Sequence, residues 1–150
     1  MSNRFRLGIV LRLREMAEET ARIELGHALD AHRHAVSAVQ AAQSRAGQEL
    51  HWLSDLQGGT SEAGELQAAV FAVASAQRAI VAAQETLGKA TDGLFQARRA
   101  LADATRQREV VERLRDRFLA AERRERERQD GLAMAEIAST QHAVRIARNH

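Results

Sequence analysis

Turn-forming residues are concentrated at Gln57–Gly64, which reads QGGTSEAG. Two adjacent glycines, Gly58 and Gly59, have poor helix propensity and end a preceding helix, while Thr60 or Ser61 suits the N-cap of a following one. Proline, the strongest helix breaker, is absent from all 150 residues. The sequence therefore predicts two helices joined by one loop.

Composition favours helices over strands in the rest of the chain. Hydrophobic residues make up 45% of it but aromatic residues only 3%, and alanine, the best helix former, is abundant. Together with 28% charged residues, this profile is typical of a long helix or coiled coil. We expect a single domain over 1–150, with helix one at about 4–56, a loop at about 57–61 and helix two at about 62–147.

Both predicted helices carry apolar residues at alternating steps of four and three, which is the pattern of a coiled-coil seam. His32 and Gln43 interrupt the pattern in helix one. The predicted seam of helix one is Leu25, Leu29, His32, Val36, Val39, Gln43, Ala46, Leu50 and Leu53. The predicted seam of helix two is Ala69, Val73, Ala76, Ile80, Ala83, Leu87, Ala90, Leu94, Ala97, Leu101, Ala104, Arg108, Val111, Arg115 and Phe118.

Folding the chain back at the glycine pair brings the two seams into register. Residues whose numbers add up to about 119 then lie opposite each other, such as Leu25 with Leu94 and Val39 with Ile80. Residues from about 119 to 147 have no partner within the chain in this register. The sequence thus predicts an all-α fold, a long antiparallel two-helix coiled-coil hairpin with an overhanging C-terminal helix.

Near the N-terminus, the predicted helix-one seam reaches charged residues, including Glu18 and Arg22. The apolar residues there follow a different phase, which indicates a skip in the heptad. Such a skip turns Phe5, Ile9 and Leu13 away from helix two and leaves an apolar stripe for a partner. In the alternative interpretation, helix one winds around helix two there.

No motif for catalysis or cofactor binding is present. The sequence has no cysteine, no phosphate-binding glycine loop and no Gly-x-Ser-x-Gly element, and two paired helices enclose almost no cavity. Glu24 and His27 form one Glu-x-x-His pair, with Asp30 and His34 on the face of His27, but a di-iron site needs a second pair. We therefore expect no enzymatic activity, no cofactor and no metal.

The apolar run near the N-terminus is too short for a signal peptide or a membrane span, so we expect a soluble, unprocessed chain. The segment 106–128 holds nine arginines and six acidic residues, and the first 14 residues hold four arginines and no acid. This basic end suits an acidic protein cavity, nucleic acid or an anionic membrane, although the interleaved acids argue against nucleic acid. The alternative is a solvated helix with ion pairs such as Glu122 with Arg126.

Trp52 and Phe71 lie near the predicted hairpin tip, roughly opposite one another. Burial of both aromatic rings at the end of a thin core is the favoured interpretation. If they are exposed instead, they are natural anchors for a partner at the tip.

Both ends of the sequence resemble the FliJ family of flagellar type III export proteins, which is related to the YscO-type proteins of injectisomes. The resemblance lies in Arg4–Glu15 (RFRLGIVLRLRE), Arg106–Arg117 (RQREVVERLRDR) and Glu122–Asp130 (ERRERERQD). A family element of Asp-Glu-hydrophobic-Ala reads Ala135–Ala138 (AEIA) here, with the Glu but without the Asp.

The resemblance implies a cytoplasmic, non-enzymatic stalk for flagellum biogenesis and motility. It implies that the open end enters the ring of a FliI-like export ATPase and the tip reaches a FlhA-like export gate, with export chaperones as further partners. It implies no nucleic acid, and membrane association only through the export apparatus. The ring-facing candidates are Arg106, Arg108, Glu112, Arg113, Arg115 and Arg117, and the tip candidates, by position only, are Trp52, Leu53 and Phe71.

Two other functions compete with this one. The chain could be a structural or adaptor coiled coil that dimerises through its overhang, or it could bind nucleic acid or a membrane surface through its arginines. A tight dimer would favour the adaptor. Binding to nucleic acid or anionic vesicles that weakens steeply with salt would favour the nucleic-acid or membrane binder.

Overall fold

The computed structural model describes residues 3–150, with side chains from Arg6 onward. Helix α1 spans Asn3–Gln57 and helix α2 spans Ala63–Arg148, and the described residues contain no strand. The predicted all-α class, with two long helices that pack against each other, is confirmed. Each helix end lies one residue from its predicted position. The side chains of Arg4 and Phe5 lie outside the described residues.

The loop between the helices is held by its own polar groups. The Gly58 N–H donates to the Ser54 carbonyl at 3.1 Å, and the Ser61 hydroxyl donates back to the Leu56 carbonyl at 3.0 Å. Ser61 therefore satisfies a carbonyl in the last turn of α1, whereas the sequence predicted that it or Thr60 would cap α2. In the first turn of α2, the N–H groups of Glu65 and Leu66 donate to the Glu62 carbonyl instead, at 3.1 and 3.2 Å.

The chain divides into two compact units, and each contains parts of both helices. The loop unit is Glu18–Ala104, and the terminal unit is Met1–Ala17 with Thr105–His150. In the loop unit the short loop makes the two helices antiparallel neighbours. In the terminal unit they are also antiparallel, because Arg14 bonds to Gln107 while Leu7, earlier in α1, lies beside Leu114 and Phe118, later in α2.

The seam of α2 follows one heptad phase. All fifteen positions of the predicted α2 seam are buried or half-buried, and the phase extends to Leu66 at one end and Glu122 at the other. Ala69 and Ala76 are the most completely buried, at 0% and 1% exposed. Leu94 and Val111 are the largest buried side chains of this seam, at 7% and 8% exposed.

The seam of α1 differs from the predicted one at every second position. The structure buries or half-buries Ala28, Ala35, Ala42 and Glu49, each one residue before a predicted member. Of the four residues they replace, Leu29 and Val36 are half-buried beside the seam, Gln43 is exposed, and Leu50 is 49% exposed. The prediction for Leu50 is wrong because the heptad phase set by Ala28, Ala35 and Ala42 places Glu49, not Leu50, on the seam side of α1. Leu25, His32, Val39, Ala46 and Leu53 are buried or half-buried, as seam positions require.

The predicted skip in the α1 heptad is absent. The phase continues toward the N-terminus through Ala21, Glu18, Leu11 and Leu7, which are all buried or half-buried. Glu18 is the only buried charged residue among the described side chains, at 3% exposed. Its carboxylate accepts a hydrogen bond of 2.5 Å from the Arg22 guanidinium, so a charge that resembled a break in the pattern lies inside the seam.

The end of α2 is helical and is not covered by any residue whose side chain the structure describes. From Arg123 onward every residue is exposed, and the helix continues to Arg148. We call 123–148 the overhang. It begins about four residues after the predicted start because Phe118, Leu119 and Glu122 are still half-buried.

Among the residues that the structure describes, one helix is apolar enough, by length and composition, to cross a membrane. An 18-residue window within α2 reaches a mean hydropathy of 1.4, and 11% of it is buried. Core helices of soluble proteins pass the same test, so a single such helix does not establish a membrane span.

Leu94→Asp should destabilise the loop unit strongly, because it removes a buried side chain and places a carboxylate in the seam. The expected loss is about 3 kcal/mol or more, which corresponds to a fall in the melting temperature on the order of 10 °C. The measurement is thermal unfolding followed by circular dichroism at 222 nm. The neighbouring Phe95→Asp is the control, because Phe95 is 63% exposed; equal melting of the two variants would contradict the seam.

Glu18→Leu should stabilise the protein, because an apolar side chain of similar size suits the seam better than a carboxylate that has lost most of its water. Because the Arg22 side chain is 58% exposed, it stays hydrated without its partner, and we expect a gain of about 1–2 kcal/mol. Urea unfolding measures the change. Glu19→Leu is the control, since the Glu19 side chain is 63% exposed. A Glu18→Leu protein less stable than wild type would mean that the carboxylate contributes more to the seam than its burial costs.

Candidate functional site

The described residues form no enclosed cavity with catalytic groups. The clefts are shallow and open, and no group of three or more His, Asp and Glu side chains could hold a metal ion among the described residues. The polar face around His34 is occupied locally, because its Nδ1 lies 2.7 Å from the Asp30 carbonyl oxygen. The functional candidates among the described residues are therefore exposed surfaces and open clefts.

The six ring-facing candidates divide between two faces of α2. Arg106, Arg113 and Arg117 are exposed, and their spacing of seven and four residues places them in one row along the helix. Arg108, Glu112 and Arg115 are half-buried and belong to the seam side. Three of the six, all arginines, are thus on the exposed face of α2; we call them the arginine row.

The seam-side charges are partly engaged within the helix. Arg108 donates to Glu112 across one turn at 2.7 Å, and the side chains are 23% and 38% exposed. The Arg115 guanidinium lies 3.9 Å from the Asp116 carboxylate, while its Nε is buried without a hydrogen-bond partner. These residues support α2 in the terminal unit more than they offer charge to a partner.

In the terminal unit, two clefts lined by described side chains lie between α1 and α2. One has a volume of about 340 Å³ and is lined by Arg6, Leu7, Leu114 and Phe118. The other, of about 240 Å³, is lined by Arg14, Arg106, Gln107, Val110 and Val111. Val110 and Leu114 are 54% and 47% exposed although they lie one turn apart on the same face. Sequence reasoning missed this pair because neither residue belongs to a seam.

The N-terminal part of α1 carries a second exposed apolar strip. Ile9 and Leu13 are 48% and 59% exposed, and Met16 is 60% exposed. They lie on the face opposite Leu7 and Leu11. The exposure expected of Ile9 and Leu13 is therefore present, although no skip produces it, and the position of Phe5 is outside the described side chains.

The overhang combines charged and apolar side chains. Arg128 donates two hydrogen bonds to Glu125, at 2.8 and 3.0 Å, and Gln129 donates a third at 3.3 Å. The bond from Arg128 lowers the pKa of the Glu125 carboxyl, and the same bond raises the pKa of Arg128. The large apolar residues beyond this point are all exposed: Leu132, Met134, Ile137, Val144 and Ile146.

At the tip, the predicted aromatic cap is wrong. Trp52 is 40% exposed and Phe71 is 65% exposed, while Leu53 is half-buried. The half-buried Leu56 and Leu66 close the end of the seam instead. The two rings are therefore available at the surface, which was the alternative interpretation, and the exposed Val70 beside Phe71 adds to the same apolar surface.

Lowering the pH should loosen the overhang through Glu125. Because the folded pKa of this carboxyl is lowered, its stabilising contribution is present above the unfolded pKa and disappears as the pH falls through the folded value. NMR titration of the carboxyl carbon should give a pKa below 4.5. Arg128→Gln should raise that pKa, since it removes the main cause of the shift; an unchanged pKa would mean that the ion pair does not persist in solution.

The chain matches one family model across almost its full length. That model, described as the flagellar FliJ protein, covers residues 2–146, which include both helices and most of the overhang. No curated protein and no solved structure matches the chain. The match agrees with the terminal segments that suggested the family in the sequence. The chain belongs to the FliJ family of flagellar proteins.

Proposed function

We propose that this protein is a non-enzymatic stalk of the flagellar export apparatus. Membership of the FliJ family implies a role related to flagellar export. In the proposal, the terminal unit inserts into the ring of a FliI-like export ATPase, and the tip of the loop unit contacts a FlhA-like export gate. Export chaperones are further proposed partners, and nucleic acid is not. The proposed location is the cytoplasmic face of the membrane, reached only through the apparatus.

The observation that carries the proposal is the overhang, a helix without an intrachain partner. Its large apolar side chains do not form one stripe: Met134, Ile137 and Val144 lie on one face, and Leu132 and Ile146 lie on the opposite face. Exposed apolar side chains on two opposite faces of one helix are covered together only by a partner that contacts both faces. The inside of a ring surrounds a helix in this way.

The charges of the terminal unit support the same partner. The arginine row can steer the terminal unit toward an acidic ring and hold it there by contacts that depend on salt. Each contact between an arginine and a carboxylate at an exposed surface is worth little, about 0–1 kcal/mol. A stalk that must change partners around a symmetric ring needs such weak, repeated contacts.

The tip of the loop unit supports a second contact, with the proposed export gate. Trp52 and Phe71 are exposed aromatic residues, a class that anchors protein interfaces. Leu53, next to Trp52 in α1, is half-buried and is therefore the least available of the three tip candidates. A gate contact is therefore proposed to rest mainly on the two rings.

The adaptor coiled coil is the second candidate function. A parallel coiled-coil dimer needs a single apolar stripe with a period of 3.5 residues. The overhang continues the seam phase of α2 through Glu125, Gln129 and Glu136, with Leu132 as an apolar member between them. Three polar residues among these four positions argue against a tight dimer and favour the stalk.

The test is ATP hydrolysis by the FliI-like ATPase of the same organism while this protein is titrated in, with ring assembly followed by light scattering. We expect stimulation that saturates well below one chain per ATPase subunit, because one stalk fills one ring. Absence of any effect under conditions where rings form would reject the stalk. A concentration-independent dimer of the free chain would favour the adaptor.

The double variant Arg113→Glu with Arg117→Glu should lose the stimulation while its helix content stays that of the wild type. Arg98→Glu with Arg99→Glu is the matched control, because it makes the same charge change at exposed positions of α2 in the loop unit. If both doubles stimulate equally, the arginine row does not contact the ATPase.

A further inference from the structure

The two clefts of the terminal unit form one apolar groove between α1 and α2. Leu114 lines the first cleft and Val110 the second, and these residues are one turn apart on the same face of α2. On α1, Arg6 and Arg14 mark the same two clefts, two turns apart. We call this surface the terminal groove. It is long enough for two turns of a bound helix, about 10 Å.

The edges of the terminal groove are positively charged on both sides. Arg6 and Arg14 stand on the α1 side, and the arginine row runs along the α2 side. Arg14 is held in place by the 2.7 Å hydrogen bond from its guanidinium to the Gln107 side-chain oxygen. None of the nine residues that line the two clefts is acidic. An apolar floor between two rows of arginine is complementary to an apolar strip between two rows of carboxylates.

We propose that the terminal groove binds an acidic amphipathic helix of a partner protein. One apolar residue of that helix enters the cleft lined by Val110, and a second enters the cleft lined by Leu114. Its Glu and Asp side chains, on either flank of the apolar strip, meet Arg6 and Arg14 on one side and the arginine row on the other.

A second copy of this chain does not fit the groove as well. The helices that the terminal unit exposes are themselves rich in arginine, so a second terminal unit would place like charges together. A free inorganic anion would leave the apolar floor uncovered. Only an occupant with both an apolar strip and acidic flanks satisfies the two features at once.

This inference rests on the proposed function only in naming what the partner presents to the terminal unit. It requires direct binding to the groove, whereas the stalk function requires stimulation of the ATPase. The two can fail separately. Binding of an acidic helix without stimulation of the ATPase would reject the stalk function and support helix binding in the groove. Stimulation without such binding would support the stalk function and reject helix binding in the groove.

The probe is a fluorescein-labelled 21-residue peptide made of three Leu-Glu-Glu-Ala-Leu-Ala-Glu repeats, titrated with the full-length protein and followed by fluorescence anisotropy. The control peptide carries Lys at every Glu position. We expect the Glu peptide to bind at least about tenfold more tightly than the Lys peptide, and its affinity to fall as salt rises. Equal or absent binding of the two peptides would overturn the proposal.

Two double variants of Val110 and Leu114 test the apolar floor of the groove. Val110→Asp with Leu114→Asp should weaken binding at least about tenfold, since carboxylates then occupy the floor and repel the peptide. Val70→Asp with Val81→Asp is the matched control, because both valines are 55% exposed on α2 in the loop unit. Val110→Ala with Leu114→Ala tests the floor without adding charge, and full binding by that alanine double would overturn the groove.

Discussion

Alanine at every seventh position is the constraint on which the loop unit depends. In α2 the series runs from Ala69 to Ala104, and in α1 it runs from Ala21 to Ala42. A side chain of one carbon lets two helix backbones approach closely and gain dispersion contacts along their whole length. Larger residues at the other seam position, such as Leu94 and Val39, then fill the remaining space. This explains how a chain with so few aromatic residues holds two long helices together.

The same constraint explains where sequence reasoning succeeded and where it did not. The seam of α2 could be predicted from the sequence because its positions keep one heptad phase from Ala69 to Phe118, although Val81 and Phe95 stand next to it. In α1, Leu29 and Val36 follow directly after Ala28 and Ala35, and a rule that prefers the larger side chain selects the wrong neighbour. Glu18 misled for a related reason: a charged residue usually marks the outside of a helix, and its burial depends on the nearby Arg22. The prediction for the tip was wrong because Trp52 and Phe71 lie beside the seam, whose positions there are Leu53, Ala69 and Val73.

The candidate surfaces were predictable only in part, because exposure depends on the phase of the seam. The sequence identified the arginine-rich segment of α2, but only the three-dimensional packing separates the exposed Arg113 and Arg117 from the half-buried Arg108 and Arg115. Val110 and Leu114 look like ordinary apolar residues of a coiled coil, yet they lie outside the seam and line clefts. The family could be recognised from the terminal segments, because the order of charged and apolar residues in them can be compared without knowing their contacts.

The position of the arginine row follows from helix geometry and bears on how a partner is selected. Steps of seven and four residues keep Arg106, Arg113 and Arg117 in line, one step around the helix from Val110 and Leu114. A partner that only neutralised the arginines would bind weakly and lose affinity in salt, and a partner that only covered the apolar floor would leave guanidinium groups beside its own apolar surface. Affinity then comes chiefly from the floor, while the arginines determine which helices are accepted and how fast they arrive. In the proposed function, such a division lets the terminal unit meet its partner repeatedly without binding it too tightly.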